Sequence, residues 1–388
     1  MMNMAILGFG TVGSGVAKVL TDNAAEVAAG AGEEIRLKYI VDVRDMPDSP
    51  FAPLMVKDFS IVEKDPEVGV VVETIGGCGV ALDFTRRALQ AGKHVVTSNK
   101  QLVAEHGVEL LALAKEKGVN YFFEASVGGG IPLLRPLYND LSANKILSIK
   151  GIVNGTTNYI LTAMEQGGTE LDEALKEAQS LGYAELNPDS DLDGTDAVRK
   201  ACILADLAWG RELKPELVPV EGIRGVALQD IRNAASTGGA IKLLCRLQRS
   251  EDGTVFVWVA PHFVPASSML AHVDAAYNAV IITGNAVGDT LFYGTGAGSV
   301  PTASAVMGDV VDAVRHKDAP RGIGWTDAPL DLGDPESIPS RWYIRSGDSW
   351  SITEAMTADR LPRAQVRYRV LDREYKRRTS PAEKGYLC

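Results

Sequence analysis

Apolar positions along the chain switch repeatedly between two periods. Met4-Ala5-Ile6-Leu7 is an unbroken apolar run, and Val12, Val16, Val19 and Leu20 then recur at helical spacing, which predicts a strand, a turn and a helix. The same alternation returns further on. "IRLKYIVDVRD" predicts a second strand ending in Asp42 and Arg44, and "VGVVVETIGG" a buried strand closed by a glycine turn. "ALDFTRRALQAGK" is helical, "HVVTSNK" is a short strand running into another helix, and "GVNYFFEASVGGGIP" is a strand and a further glycine turn. Strand–helix alternation of this kind predicts an α/β fold built on a parallel, doubly wound sheet.

After Pro132 the pattern changes. "ILSIKGIVNGTTNYILTAME" predicts strand, polar turn and helix, "TELDEALKEAQSLGYAE" an amphipathic helix, and "ACILADLAW" a buried helix beginning near Thr195. "TVFVWVAPHFVP" and "NAVIITGNAVGDTLFYGTGAG" add strands, so an α+β domain is expected to be inserted after the first unit. The remainder mixes proline, charge and strand-like runs such as "RWYIR" and "AQVRYRVL".

The first turn has the spacing of a dinucleotide-binding loop. Gly8 permits the tight turn, Gly10 the approach of a pyrophosphate, and Gly13 the packing of helix on strand, in the Rossmann manner. Free N–H groups and the helix dipole favour the phosphates there. Asp42, at the end of the second strand, suits the adenosine ribose and opposes a 2′-phosphate, which leans the choice between NAD and NADP toward NAD. Arg44 would act in the other direction, and "AAGAGEE" reads as an insertion lengthening the spacing. Ligands of such sheets lie at the carboxyl ends of the strands, which here carry Glu73-Thr74, Ser98-Asn99-Lys100 and Glu124.

In "DLDGTDAVRK" three acids precede or open the helix bearing Lys200, and Asp196 and Lys200, four residues apart, share one of its faces. A surface ion pair is the plain alternative; the apolar run that follows favours a site. A nicotinamide cofactor moves hydride while the protein manages the proton on oxygen. Lys100 and Lys200 are the candidates to stabilise a developing alkoxide and deliver its proton. The acids suit a substrate ammonium, and the N–H groups of "NGTTN" a carboxylate, which implies a small amino acid bearing an alcohol or aldehyde.

Composition narrows the class. The 388 residues are 46% hydrophobic and 23% charged, with a net charge of −11, as expected of a soluble protein that binds neither nucleic acid nor membrane. "MMNMAILGFG" does not read as a signal peptide, and Cys78, Cys202, Cys245 and Cys388 lack metal-type CxxC spacing, so a reducing cytoplasm is expected.

With "VVTSNK", "EASVGGGIP", "GIVNGTTNYIL", "LGYAELNPDSDLDGTDAVRK" and "GTGAGSVPTASAVMGD" in order, the chain resembles homoserine dehydrogenases, from the glycine loop to about Arg315. The resemblance implies reversible NAD(P)-dependent interconversion of L-homoserine and L-aspartate 4-semialdehyde, in threonine and methionine biosynthesis. It implies Lys200, Lys100 and Asp196 as catalytic residues and Glu185, Asp191, Gly155 and Thr156 as substrate contacts. Cofactor contacts would be Gly8, Gly10, Thr11, Val12, Gly13, Asp42, Thr74, Ser98 and Lys100. A monovalent cation, Na+ in type, would sit largely on backbone oxygens of Glu124, Val127, Gly129 and Ile131. Residues 1–133, completed by about 297–316, would form the dinucleotide-binding domain, and 134–296 the catalytic domain, through which a homodimer or homotetramer assembles. No kinase module is expected ahead of the glycine loop, and 317–388 is expected to be a tail that is not a full ACT domain. Two rivals remain: a dehydrogenase for another semialdehyde or hydroxyacid, which the acidic cluster disfavours, and a noncatalytic dinucleotide sensor, which would not need both lysines.

Overall fold

A computed structural model describes residues 1–372. The first unit runs β1 (Met2–Leu7), α1 (Thr11–Asp22), α2 (Ala24–Ala31), β2 (Ile35–Val41), β3 (Met55–Val56), α3 (Ser60–Lys64), β4 (Val68–Glu73), α4 (Gly79–Gln90), β5 (His94–Thr97), α5 (Lys100–Lys117) and β6 (Tyr121–Phe122). Its six strands pair in parallel in the order β3-β2-β1-β4-β5-β6. Met4 to Leu7 and Val70 to Val72 are completely buried, because helices cover both faces of the sheet. "AAGAGEE" is not a loop insertion alone: its alanines complete α2, which stops at Gly32 in a left-handed conformation, φ 80°.

The second unit follows with β7 (Ile146–Ile152), α6 (Gly155–Gly167), α7 (Leu171–Ser180), α8 (Asp189–Leu192), α9 (Thr195–Trp209), β8 (Arg211–Glu212), α10 (Leu228–Ala235), β9 (Ala240–Arg249), β10 (Val255–Val264), β11 (Tyr277–Gly284) and β12 (Gly288–Thr295). Then come α11 (Ser299–Arg315), β13 (Thr326–Pro329), β14 (Trp342–Ser346), β15 (Ser349–Ile352) and β16 (Val366–Val370). An eight-stranded sheet orders these as β12-β11-β7-β9-β10-β16-β14-β15, and β8 pairs with β13 apart from it. The "RWYIR" and "AQVRYRVL" runs thus supply β14 and β16, which extend the second sheet.

The chain returns to the first sheet through α11. Ala303, Val306, Val310 and Ala313 are fully buried in one core cluster with Val16, Ala17 and Ile6. A Cβ on Gly15 would fall 2.6 Å from Ser299 Oγ and 2.8 Å from its carbonyl oxygen, so glycine is what lets α1 and α11 approach this closely. Cys78, Cys202 and Cys245 carry free thiols, and Cys388 lies outside the described residues. Among the described residues no helix is long and apolar enough to cross a membrane.

Candidate active site

The glycine loop has the shape its spacing predicts. Gly8 takes φ 88°, and a Cβ on Gly13 would lie 2.0 Å from the Gly8 carbonyl oxygen, whereas a Cβ on Gly10 would meet nothing within 4 Å. Gly10 caps α1 without a side-chain hydrogen bond, so N–H groups of the first turn stay open to an anion. That open cradle fits a dinucleotide pyrophosphate. Thr74 Oγ1 donates to the Gly8 carbonyl at 2.7 Å, tying β4 to the loop, and Ser299 Oγ donates to the Thr11 carbonyl at 2.6 Å. Thr11 is exposed and Val12 and Ser98 are half-buried.

Asp42 is more heavily engaged than the sequence suggests. Its carboxylate accepts from Phe9 N at 2.7 Å, Arg44 N at 2.9 Å and, through both oxygens, from the Arg44 guanidinium at 2.9 and 2.7 Å. The guanidinium, opposing the effect of burial and aided by the two N–H groups, holds this carboxyl far below the usual range. The residues expected to act in opposite directions on the ribose are one ion pair.

Glu73 stabilises its own turn. It is fully buried and accepts from Thr97 Oγ1 at 2.6 Å and Ile75 N at 2.7 Å. Asn99 caps α5 through Leu102 N at 3.1 Å and donates to the Gly77 carbonyl at 2.6 Å. Lys100, at the first position of α5, is thereby aimed from a fixed helix start.

The two lysines converge on one carboxylate. Lys100 Nζ pairs with Asp196 Oδ1, and Lys200 Nζ lies 2.7 Å from Asp196 Oδ2. Lys200 also donates to the Val153 carbonyl at 2.6 Å. The Asp196 side chain is 3% exposed, that of Lys200 11% and that of Lys100 42%, so the cluster opens to solvent on the Lys100 side. Burial alone would raise the Asp196 pKa; the ammonium groups of Lys200 and Lys100 outweigh it and hold the carboxyl well below its ordinary value. Burial likewise opposes the charge on Lys100, and Asp196, with Asp191 behind it, raises that pKa overall.

Asn154 joins the acids together, and sequence reasoning missed it. Its Nδ2 donates to Asp191 Oδ1 at 2.6 Å and Asp196 Oδ2 at 2.9 Å, while its Oδ1 accepts from Thr157 N at 2.8 Å as the cap of α6. The cap was legible as an asparagine before a helix; the reach across to α8 and α9 was not. Two N–H groups of "NGTTN" are therefore already used, that of Thr157 on Asn154 Oδ1 and that of Asn158 on the Asn154 carbonyl at 3.3 Å, while those of Gly155 and Thr156 lie in the first turn of α6, where an anion would be favoured. Gly155 has close neighbours, a Cβ there falling 2.8 Å from the Ala276 carbonyl oxygen. Burial raises the Asp191 pKa, with Asn154 and the lysines opposing it.

Glu185 stays outside this hydrogen-bonded group. It is exposed on the loop between α7 and α8. That loop is tied down by Thr156 Oγ1, which donates to the Tyr183 carbonyl at 2.7 Å, and by Tyr159 stacked on Tyr183 at 4.6 Å.

The glycine turn after β6 is braced from within. Glu124 is buried and its carboxylate accepts from Leu133 N at 2.5 Å, Leu134 N at 2.8 Å and Arg135 N at 2.6 Å. Its own N–H donates to Asp309 of α11 at 2.7 Å. The side chain is thus committed to the protein, so a cation at the expected site would have to rest on backbone oxygens of Glu124, Val127, Gly129 and Ile131. Gly129, at φ 57°, turns against Gly296, whose carbonyl oxygen would lie 2.4 Å from an added Cβ.

Comparisons with known proteins point to one family. A family model described as homoserine dehydrogenase matches residues 132–311, and another, its NAD binding domain, matches 8–124. Homoserine dehydrogenase of Neisseria gonorrhoeae is 43% identical over 321 residues, covering 82% of this chain and 73% of that one. The Lactococcus lactis enzyme is 37% identical over 380 residues, covering 94% and 88%. A crystal structure of a homoserine dehydrogenase from Thiobacillus denitrificans superposes with a TM-score of 0.87 at 35% identity, covering 96% and 98% of the two chains. A hyperthermophilic archaeal homoserine dehydrogenase in complex with NADPH matches with a TM-score of 0.68 at 28% identity, covering 80% and 97%.

Proposed function

We propose a division of labour among these residues from one premise: the chain belongs to the homoserine dehydrogenase family and is an NAD(P)-dependent oxidoreductase interconverting L-homoserine and L-aspartate 4-semialdehyde. When bound, the nicotinamide supplies or takes the hydride. Gly8, Gly10, Thr11, Val12 and Gly13 would hold the pyrophosphate, Asp42 the ribose, and Thr74, Ser98 and Lys100 the nicotinamide end. NAD remains the favoured partner, because a 2′-phosphate would meet the Asp42 carboxylate unless Arg44 left it.

Lys200 carries the proton. In reduction its ammonium stabilises the charge that gathers on the aldehyde oxygen and donates to it; in oxidation the amine accepts the hydroxyl proton. Asp196 orients Lys200 and Lys100 together and keeps either from drifting, and Asp191 steadies that group through Asn154. Gly155 and Thr156 would offer N–H groups to the substrate carboxylate, and Glu185, exposed on the loop that Thr156 anchors, would meet the substrate ammonium. The observation carrying this reading is the single carboxylate shared by two ammonium groups, one from each unit.

A monovalent cation, Na+ in type, would rest on the carbonyls of Glu124, Val127, Gly129 and Ile131, in a structural role. Hard oxygen donors in a glycine turn suit it. Exposed Leu291 and Tyr293 on edge strand β12 support assembly of the catalytic unit into a homodimer or homotetramer, and the cytoplasm is the expected compartment. Steady-state kinetics of Glu185→Gln test the substrate assignment: KM for homoserine should rise roughly tenfold, about the worth of one charged hydrogen bond, with kcat little changed. An unaltered KM removes Glu185 from the amine site.

A further inference from the structure

Outside that machinery, Cys78, Glu105 and His106 bring a thiol, a carboxylate oxygen and an imidazole nitrogen within 4.8 Å of one another. Cys78 ends the glycine turn after β4, and the other two lie on the first half of α5. Cys78 Sγ is 3.5 Å from Glu105 Oε2. That equals the ~3.5 Å edge of a tetrahedron with metal–sulfur and metal–oxygen bonds of ~2.3 and ~2.1 Å. Cys78 and His106 are half-buried and Glu105 is exposed, so an ion has a way in. Arg199 Nε lies 3.6 Å from the other Glu105 oxygen and gives the carboxylate an outer partner, while Oε2, which accepts the Cys78 S–H, is released for an ion when that proton leaves.

We propose that Cys78, Glu105 and His106 form a binding site for a divalent transition metal of the zinc class, with water as fourth ligand. Thiolate and imidazole donors select zinc or cobalt over magnesium and calcium. Without an ion, burial and the neighbouring Glu105 push the Cys78 thiol up to about 11. A dication reverses that balance: the Sγ proton leaves to solvent, metal–sulfur, metal–nitrogen and metal–oxygen bonds replace bonds to hydration water, and no electron changes hands. The thiolate and carboxylate together neutralise the ion. Because its ligands come from two elements, a bound ion cross-links the turn at Gly76 and Gly77, with φ of 87° and 66° and open space around both, to the helix that begins at Lys100.

Cobalt(II) chloride titrated into tag-free, full-length protein, reduced with a phosphine, tests the site. A near-ultraviolet thiolate-to-cobalt band should saturate at one ion per chain and vanish on adding zinc chloride. Cys78→Ser should abolish the band, and His106→Ala should weaken binding about tenfold or more, the loss typical even of an outer-shell partner. Zinc should raise the melting temperature of the wild type but not of Cys78→Ser, and Cys78→Ala serves if the serine variant misfolds. Absence of the band, or a band that survives loss of Cys78, overturns the proposal. Either result leaves the catalytic reading untouched, since none of these readouts is homoserine turnover.

Discussion

Lys200 Nζ and Asp196 Oδ2, one turn apart on α9, lie 2.7 Å from each other, and the same ammonium donates to the Val153 carbonyl at 2.6 Å. An ammonium has three donors, so with two spent on the protein the third would be the one to meet a substrate oxygen in the proposed mechanism. The buried pair fixes the direction of the third.

Lys200→Ala should therefore remove a transition-state interaction, and it leaves Lys100 as the cation balancing the buried Asp196. Turnover is expected to fall by a factor worth roughly 3–6 kcal/mol, with NADH affinity nearly unchanged. Stopped-flow or steady-state rates, alongside fluorescence titration of NADH, provide the check. A drop of less than about tenfold would mean that another group handles the proton.

In the proposed ribose role, the Asp42–Arg44 pair would make cofactor choice a matter of one carboxylate. Removing it in Asp42→Ala would free the Arg44 guanidinium and, if the ribose binds there as proposed, end the repulsion of a 2′-phosphate. The ratio of kcat/KM for NADP to that for NAD should rise about tenfold or more, equivalent to ~1.4 kcal/mol. If that ratio stays put, Asp42 has no part in recognising the ribose.

Legibility in the sequence followed locality. Strand, glycine turn and helix from Met2 to Asp22 could be read because the apolar period changes there while the glycines stay in register. Lys100, Asp196 and Lys200 were readable for similar reasons, two of them sharing a helix face. β9 was not. Ala240 to Leu247 is buried at every position, so no alternation marks it, and Lys242 and Arg246 sit among its buried residues. α10 hides in the same way, with Asp230 and Asn233 buried by partners more than a hundred residues away. Asn154 shows the limit most clearly: its cap is local, its two acid partners are not.

Those distant partners of α10 set up a test of stability. Arg345 of β14 holds Asp230 through contacts of 2.5 and 3.0 Å, Tyr343 adds one of 2.8 Å, and the acid is completely buried. Arg345→Met leaves that charge without its cation and should destabilise the protein by about 3–5 kcal/mol. The double variant Asp230→Leu/Arg345→Met should recover part of the loss. Urea unfolding measures both, and a single-variant loss under about 1 kcal/mol would show that the pair does not anchor β14.

Acid sensitivity should arise partly at His262, which is fully buried on β10. Its Nε2 accepts from Trp258 Nε1 at 3.3 Å, and its Nδ1 meets the Ala260 carbonyl at 2.8 Å, so the neutral ring with hydrogen on Nδ1 satisfies both neighbours. Protonation would set two donors face to face. Burial, then the nearby Arg246, pushes the pKa down to about 3. The unfolded ring titrates near 6.5, so between those values the unfolded chain binds the extra proton. Stability from this residue is thus complete above about pH 6.5 and declines as the pH falls toward 3. Between about pH 7.5 and 5 the decline amounts to about 2 kcal/mol. Urea unfolding at those two values should show the wild type losing that much more than His262→Gln. Equal losses in both proteins would assign the acid sensitivity elsewhere.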